Sequence, residues 1–177
     1  MRIEADAVIP FSRETVFRAY RDEILGFVDY LPNVRQIEVL ERDDHEDSVK
    51  LVNRWHAGGE IPAPISKMLG SSTLSWRDVA QWDESAWVCS WEIETSVFSE
   101  AVSCRGTNRF VDLAGDRTRL DIQGQIDIDL KAVKGIPKFL AGAVGPKVEQ
   151  FLVRQITTNL TSVSDALTRY LQTRMAS

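Results

Sequence analysis

From Val34 to Ile128 apolar residues recur mainly at every second position, and from Pro146 onward at every third or fourth, so a long β region is followed by one closing helix. The cleanest strand runs from about Arg117 to Leu130. There Leu120, Ile122, Gly124, Ile126, Ile128 and Leu130 alternate with Asp121, Gln123, Gln125, Asp127 and Asp129, which predicts one buried and one wet face. Ahead of it the pattern predicts three further strands, roughly Ser72–Trp82, Ala86–Phe98 and Ala101–Leu113. In the helix, Val148, Phe151, Leu152, Ile156, Leu160, Val163, Ala166, Leu167, Tyr170 and Leu171 form a single stripe. Pro146 suits a first turn, where its missing N–H is harmless, and a helix from there to Thr173 is about 42 Å long.

The chain opens with a different pattern. Ile3, Ala5, Ala7 and Ile9 alternate with Arg2, Glu4 and Asp6, as in a strand. A helix over Arg13–Tyr20 follows, with Ser12 as N-cap, Glu14 at the positive end of the dipole, and Phe11 and Val16 placed as a hydrophobic staple. Asp22–Tyr30 predicts a second short helix ending at Leu31-Pro32. Ile37 and Val39 form a short strand, Arg42–Asp47 a solvated acidic turn, and Val49, Leu51, Asn53, Trp55 and Ala57 the next strand. The Pro-bounded segment from Gly58 to Gly70 interrupts the alternation and reads as a flap.

Matching apolar faces fixes the last hairpin. A loop of Ala114-Gly115-Asp116 sets Phe110 opposite Leu120, Asn108 opposite Ile122 and Cys104 opposite Ile126, because a one-residue slip would turn every side chain over. Asn108 and Cys104 then face inward. For a preceding turn near Ser99-Glu100, Cys89 falls opposite about residue 110 and Cys104 opposite about residue 95, on the order of 20 Å apart at 3.3 Å per residue, which excludes a disulfide.

Composition narrows the function classes. A chain of 177 residues, 44% of them hydrophobic, suits a single domain over residues 1–177. A net charge of −5 with no Lys/Arg cluster argues against nucleic acid as a partner. No apolar run reaches membrane-spanning length and the opening residues have no signal-peptide core, so a soluble, cytoplasmic protein is expected. Two cysteines without metal-ligand spacing, and no His/Cys/carboxylate cluster, predict neither a metal nor another cofactor.

The order strand, two short helices, about six antiparallel strands and a long helix resembles the helix-grip fold of the START-like superfamily, also called SRPBCC, with its polyketide cyclase/dehydrase-type members. The resemblance is carried by Val8-Ile9-Pro10-Phe11-Ser12-Arg13-Glu14-Thr15-Val16-Phe17 and by Tyr30-Leu31-Pro32-Asn33-Val34 leading into Ile37-Glu38-Val39-Leu40. The stretch from Gly59 to Gly70 before a Trp-bearing strand is similar to bacterial members of unknown function. The resemblance implies an α+β fold in which a curved antiparallel sheet of about seven strands wraps round the C-terminal helix, with a hydrophobic cavity between them.

Trp55, Trp87 and Trp91 share parity with apolar neighbours and point inward, and Trp76 goes with Leu74. Such rings serve either a core or an apolar ligand pocket. The inward polar exceptions are Asn53 and Asn108 on strands, and Gln155 and Asn159 beside the helical stripe; each amide needs a partner, in protein or ligand. Cys104 is the one inward thiol, with no nearby His to activate it. These eight residues, Asn53, Trp55, Trp76, Trp91, Cys104, Asn108, Gln155 and Asn159, are the candidate ligand-binding set. His45 and His56 read as solvated, and Asp121, Asp127 and Asp129 lie on a wet face. The expected function is binding or transport of a hydrophobic small molecule or lipid, with no catalytic residue assigned. The alternatives are a polyketide cyclase/dehydratase-type enzyme, which a charged residue pointing into the cavity would favour, and a partner-binding module without an open cavity.

Overall fold

The computed structural model describes residues 1–58, 74–96, 99–129 and 138–176. Strand β1 (Arg2–Ile9) leads into helix α1 (Arg13–Asp22) and a 3₁₀ helix (Ile24–Tyr30). Six strands follow, β2 (Val34–Asp44), β3 (Ser48–Ala57), β4 (Ser75–Asp83), β5 (Val88–Thr95), β6 (Val102–Leu113) and β7 (Arg117–Ile128), and then helix α2 (Lys138–Met175). The strands form one antiparallel sheet in the order β1-β7-β6-β5-β4-β3-β2. It curves round α2, as in the helix-grip fold.

Local chemistry accounts for the start. The Thr15 N–H donates to Ser12 Oγ at 3.4 Å, capping α1, whose buried face carries Val16, Phe17, Ala19 and Tyr20. The second half of α2 is tied to Glu23, the residue between α1 and the 3₁₀ helix: Tyr170 Oη donates to Glu23 Oε2 at 2.7 Å and Arg174 pairs with the same carboxylate at 2.5 Å. Ile156, Val163, Ala166, Leu167 and Leu171 are buried, which is the stripe the sequence predicts, while the side chains of Val148 and Leu152 lie outside the described residues. α2 begins at Lys138, so Pro146 lies inside it and not in its first turn. The helix is 38 residues and about 57 Å long. An interior proline forgoes the bond to the preceding turn and crowds the carbonyl four residues back.

The β6–β7 register has Phe110 opposite Leu120, Asn108 opposite Ile122 and Cys104 opposite Ile126, as apolar matching requires. The β5–β6 register differs by two residues from the expected one: Cys89 faces Asn108 and Cys104 faces Ile93, which preserves every inward face. Both thiols are free and buried. β2 continues to Asp44, past the predicted short strand, because Arg42–Asp44 pair with β3 as an exposed edge extension. Trp87 is the other departure. It sits at φ +55° in the turn before β5, so it leaves the strand alternation and packs its ring against Phe17 at 5.3 Å, with the Arg13 guanidinium 4.4 Å from the ring centre. Of the expected flap only Gly58 lies within the described residues.

Trp91 needs two glycines. Gly106 pairs with Trp91 on one side and with Gly124 on the other, and the indole lies across both. A Cβ at Gly106 would fall 2.4 Å from Trp91 Cζ2 and 2.2 Å from the Gln123 carbonyl oxygen, and one at Gly124 would fall 2.8 Å from Trp91 Cη2. Gly124→Ala is therefore expected to destabilise the protein by about 1–3 kcal/mol, the usual cost of overpacking, measured by chemical denaturation. Unchanged stability would show that the indole does not rest on this pair.

Candidate functional site

The inward faces of β3, β4, β5 and β6 and one face of α2 enclose a slot. Its walls include Leu51, Asn53 and Trp55 from β3; Trp76, Asp78, Ala80 and Trp82 from β4; Cys89, Trp91, Ile93 and Thr95 from β5; Asn108 from β6; Tyr20 from α1; and Gln155, Ile156, Asn159, Leu160 and Val163 from α2. From Trp76 to Trp82 the slot follows β4 for about 20 Å at 3.3 Å per residue. Its free volume is about 70 Å³, room for roughly five water-sized groups and well below the several hundred Å³ of a typical drug-sized pocket. α2 thus does not pack flush on the sheet, and the space it leaves is narrow.

Aromatic rings flank the slot toward both ends of β4. At one end Trp55 and Trp76, directly paired across β3 and β4, stack with centroids 5.9 Å apart and planes at 18°. At the other, Trp82 meets Phe17 at 5.2 Å and Tyr20 at 5.1 Å, both edge-on. Between them Trp91 is pinned by a polar chain: its indole N–H donates to Asn108 Oδ1 at 2.9 Å, and Asn108 Nδ2 donates to Tyr20 Oη at 3.5 Å. Asn108 therefore has protein partners, and its first role is to fix an indole and a tyrosine on α1.

The other polar groups are not so satisfied. Among the described residues, the buried side-chain N and O atoms without a hydrogen-bond partner are Asn53 Oδ1, Trp55 Nε1, Trp82 Nε1, Thr95 Oγ1 and Asn159 Oδ1. All five belong to residues lining the slot. Each carries a penalty of about 1–3 kcal/mol if left unpaired, so their gathering in one place marks it as more than ordinary core.

Asp78 is the group that sequence reasoning missed. The alternation that points Trp76 inward points Asp78, Ala80 and Trp82 inward as well, and register places Asp78 opposite Asn53 on β3 and Ile93 on β5. The signal lay in the parity of β4, yet a carboxylate on the inward face, here half-buried, runs against the rule that charged side chains are rarely taken out of water without a partner. Burial raises its pKa to about 7; the Trp55 indole N–H and the Asn53 amide N–H, its nearby donors, partly offset that effect, with Trp55 Nε1 lying beyond hydrogen-bond distance. No Lys, Arg or His is among the described residues lining the slot. The inward faces, expected to offer mainly amides and the one thiol of Cys104, thus also carry the Asp78 carboxylate and a second thiol, Cys89 on β5.

Of the eight sequence candidates, Asn53, Trp55, Trp76, Trp91, Asn108, Gln155 and Asn159 are brought together in the slot walls. Cys104 faces inward but is fully buried behind them, and burial, with Asp78 adding to it, pushes its thiol up to about 12, so it stays protonated. Tyr20 and Cys89 are likewise pushed well up, first by burial. His56 points away, toward Glu38 Oε1 at 3.2 Å. No cluster of metal-ligating side chains occurs among the described residues.

The profile of one family, described as a protein of unknown function (DUF2505), matches residues 4–171, and the chain belongs to that family. No curated protein matches the sequence. Among solved structures, the Zhui aromatase/cyclase from Streptomyces is similar with a TM-score of 0.70 at 16% identity, over 99% of this chain and 95% of that one. The Thermus thermophilus protein TTHA0849 gives 0.62 at 19%, over 94% and 97%, and norcoclaurine synthase from Thalictrum flavum 0.60 at 14%, over 97% and 86%. At these identities the likeness is one of fold, the helix-grip fold that the order of elements led us to expect.

The Asp78 environment makes a stability prediction. A carboxyl raised from 3.8 to about 7 in the folded state binds its proton more tightly than in the unfolded chain. Its contribution is present in full below about pH 4 and is lost as pH rises through about 7, an effect on the order of 4 kcal/mol. Asp78→Asn is expected to flatten this dependence and to be the more stable protein at pH 8. Parallel urea unfolding curves for the two proteins between pH 4 and 8 would contradict it.

Proposed function

We propose that this DUF2505 protein binds a compact, mostly apolar small molecule carrying a few hydrogen-bonding groups in the slot between β3–β6 and α2. The observation that carries the reading is the convergence of five unpaired buried polar atoms and one carboxylate on a largely apolar cavity. A purely structural core gains nothing from such groups, whereas a ligand with matching donors and acceptors relieves them. The narrow volume favours a single-ring ligand over a long-chain lipid.

A catalytic reading has one observation in its favour. Asp78 has its pKa raised to about 7, where a general acid or base works best at neutral pH. The fold is shared with proteins titled aromatase/cyclase and norcoclaurine synthase, in keeping with that reading. Turnover of a bound ligand that disappears in Asp78→Asn, with affinity retained, is the result that would establish it.

Asn159→Leu tests the binding reading. Replacing an unpaired amide on α2 with an apolar side chain of similar size is expected to stabilise the ligand-free protein by about 1–2 kcal/mol and to weaken ligand uptake. The readouts are thermal unfolding, and native mass spectrometry of protein purified from its own host. A destabilised variant, or wild-type protein that neither copurifies with a ligand nor binds an apolar fluorescent probe, would overturn the reading.

A further inference from the structure

Asp78 raises a question that binding of a generic apolar molecule leaves open. It sits on β4 with aromatic rings of Trp55, Trp76, Trp82, Trp91 and Tyr20 in the same slot, and no described lining residue supplies a positive charge. A carboxylate without a counter-charge in such surroundings is costly, and a cation brought by the ligand removes that cost. Two further features fit a cation. Asn53, directly across from Asp78 in the β3–β4 register, and Asn159 on α2 both offer an unpaired carbonyl oxygen, which accepts hydrogen bonds and cannot donate them. The tryptophan faces supply the quadrupole that attracts an ammonium group.

Resting on the small-molecule reading above, we infer that the slot selects an organic cation: a compact aromatic amine whose ammonium group pairs with Asp78 beside the Asn53 amide oxygen, its ring lying among the tryptophans. The step is binding alone and moves no covalent bond. It has a consequence for protons. The groups that face Asp78 are Tyr20 from α1, Cys89 from β5 and Cys104 from β6, all pushed upward and neutral around pH 7, while Asn53 and Trp55 from β3 and Gln155 and Asn159 from α2 do not titrate. Asp78 is therefore the one described lining group whose charge changes between pH 6 and 8, and a bound cation holds it ionised.

The test uses the full chain and three probes: 2-phenylethylamine, benzyltrimethylammonium, and the neutral 2-phenylethanol, titrated calorimetrically with tryptophan fluorescence as a second signal. The two cations are expected to bind at least tenfold more tightly than the alcohol at pH 8. Their affinity should fall about tenfold from pH 8 to pH 6 as Asp78 takes up its proton, while that of the alcohol stays level. In Asp78→Asn the preference for cations should vanish with binding of the alcohol retained, and that retained binding shows the variant is folded. Equal binding of cations and alcohol, or a preference that survives Asp78→Asn, overturns the inference and leaves the small-molecule reading standing. If none of the three probes nor an apolar dye binds the wild-type protein, both fail.

Discussion

Strand register decides what lies inside this protein. Side chains alternate between two faces of a sheet, so each hairpin offset selects one of two complete sets of residues for the interior. The β6–β7 pairing of Phe110 with Leu120 sets Asn108 inward; β5–β6 then sets Trp91 over Gly106; β4–β5 sets Asp78 beside Ile93; and β3–β4 sets Asn53 beside Asp78. A one-residue shift in any one of these would turn the strands on one side of it over relative to the others, and the carboxylate, the strand amides and the indoles would no longer share a face. The slot is thus a product of the whole sheet, closed by α2, and no single element contains it.

That dependence explains what was legible in the sequence. Clean alternation in β7 gave the last hairpin its register, and the stripe on α2 gave its buried face. The β5–β6 register lies two residues from the one a turn near Ser99-Glu100 gives, and the inward face is the same, since a shift of two preserves it. Trp87 escapes the alternation for a local reason: its positive φ takes it out of the strand, and the sequence carries no glycine there to announce it. The start of α2 was misplaced because Pro146 has the look of a first-turn proline while the residues before it continue the helix.

Asp78 is instructive in a different way. Parity alone put it inside, and the general cost of burying charge argued that it should not be there. When a local rule and an energetic rule disagree at one position, the position is a candidate site, because a fold tolerates such a cost where the group has work to do. The unpaired atoms of Asn53, Trp55, Trp82, Thr95 and Asn159 fit the same logic. By contrast Asn108, the inward amide most evident from register, spends its hydrogen bonds on Trp91 and Tyr20 and serves the scaffold. Parity places a side chain; only the finished structure shows whether its polar atoms are already spoken for.

The account rests on a carboxylate held in an aromatic slot with no described cationic side chain beside it. The direct measurement is the titration of Asp78 itself, followed through its side-chain carboxyl carbon by NMR in ligand-free protein, with Asp78→Asn to assign the signal. A midpoint near 7 is what a half-buried site with no described cationic partner predicts. A midpoint near 4, the ordinary value for a solvated aspartate, would mean that the group is wet or paired, and the slot described above would not be the environment it occupies.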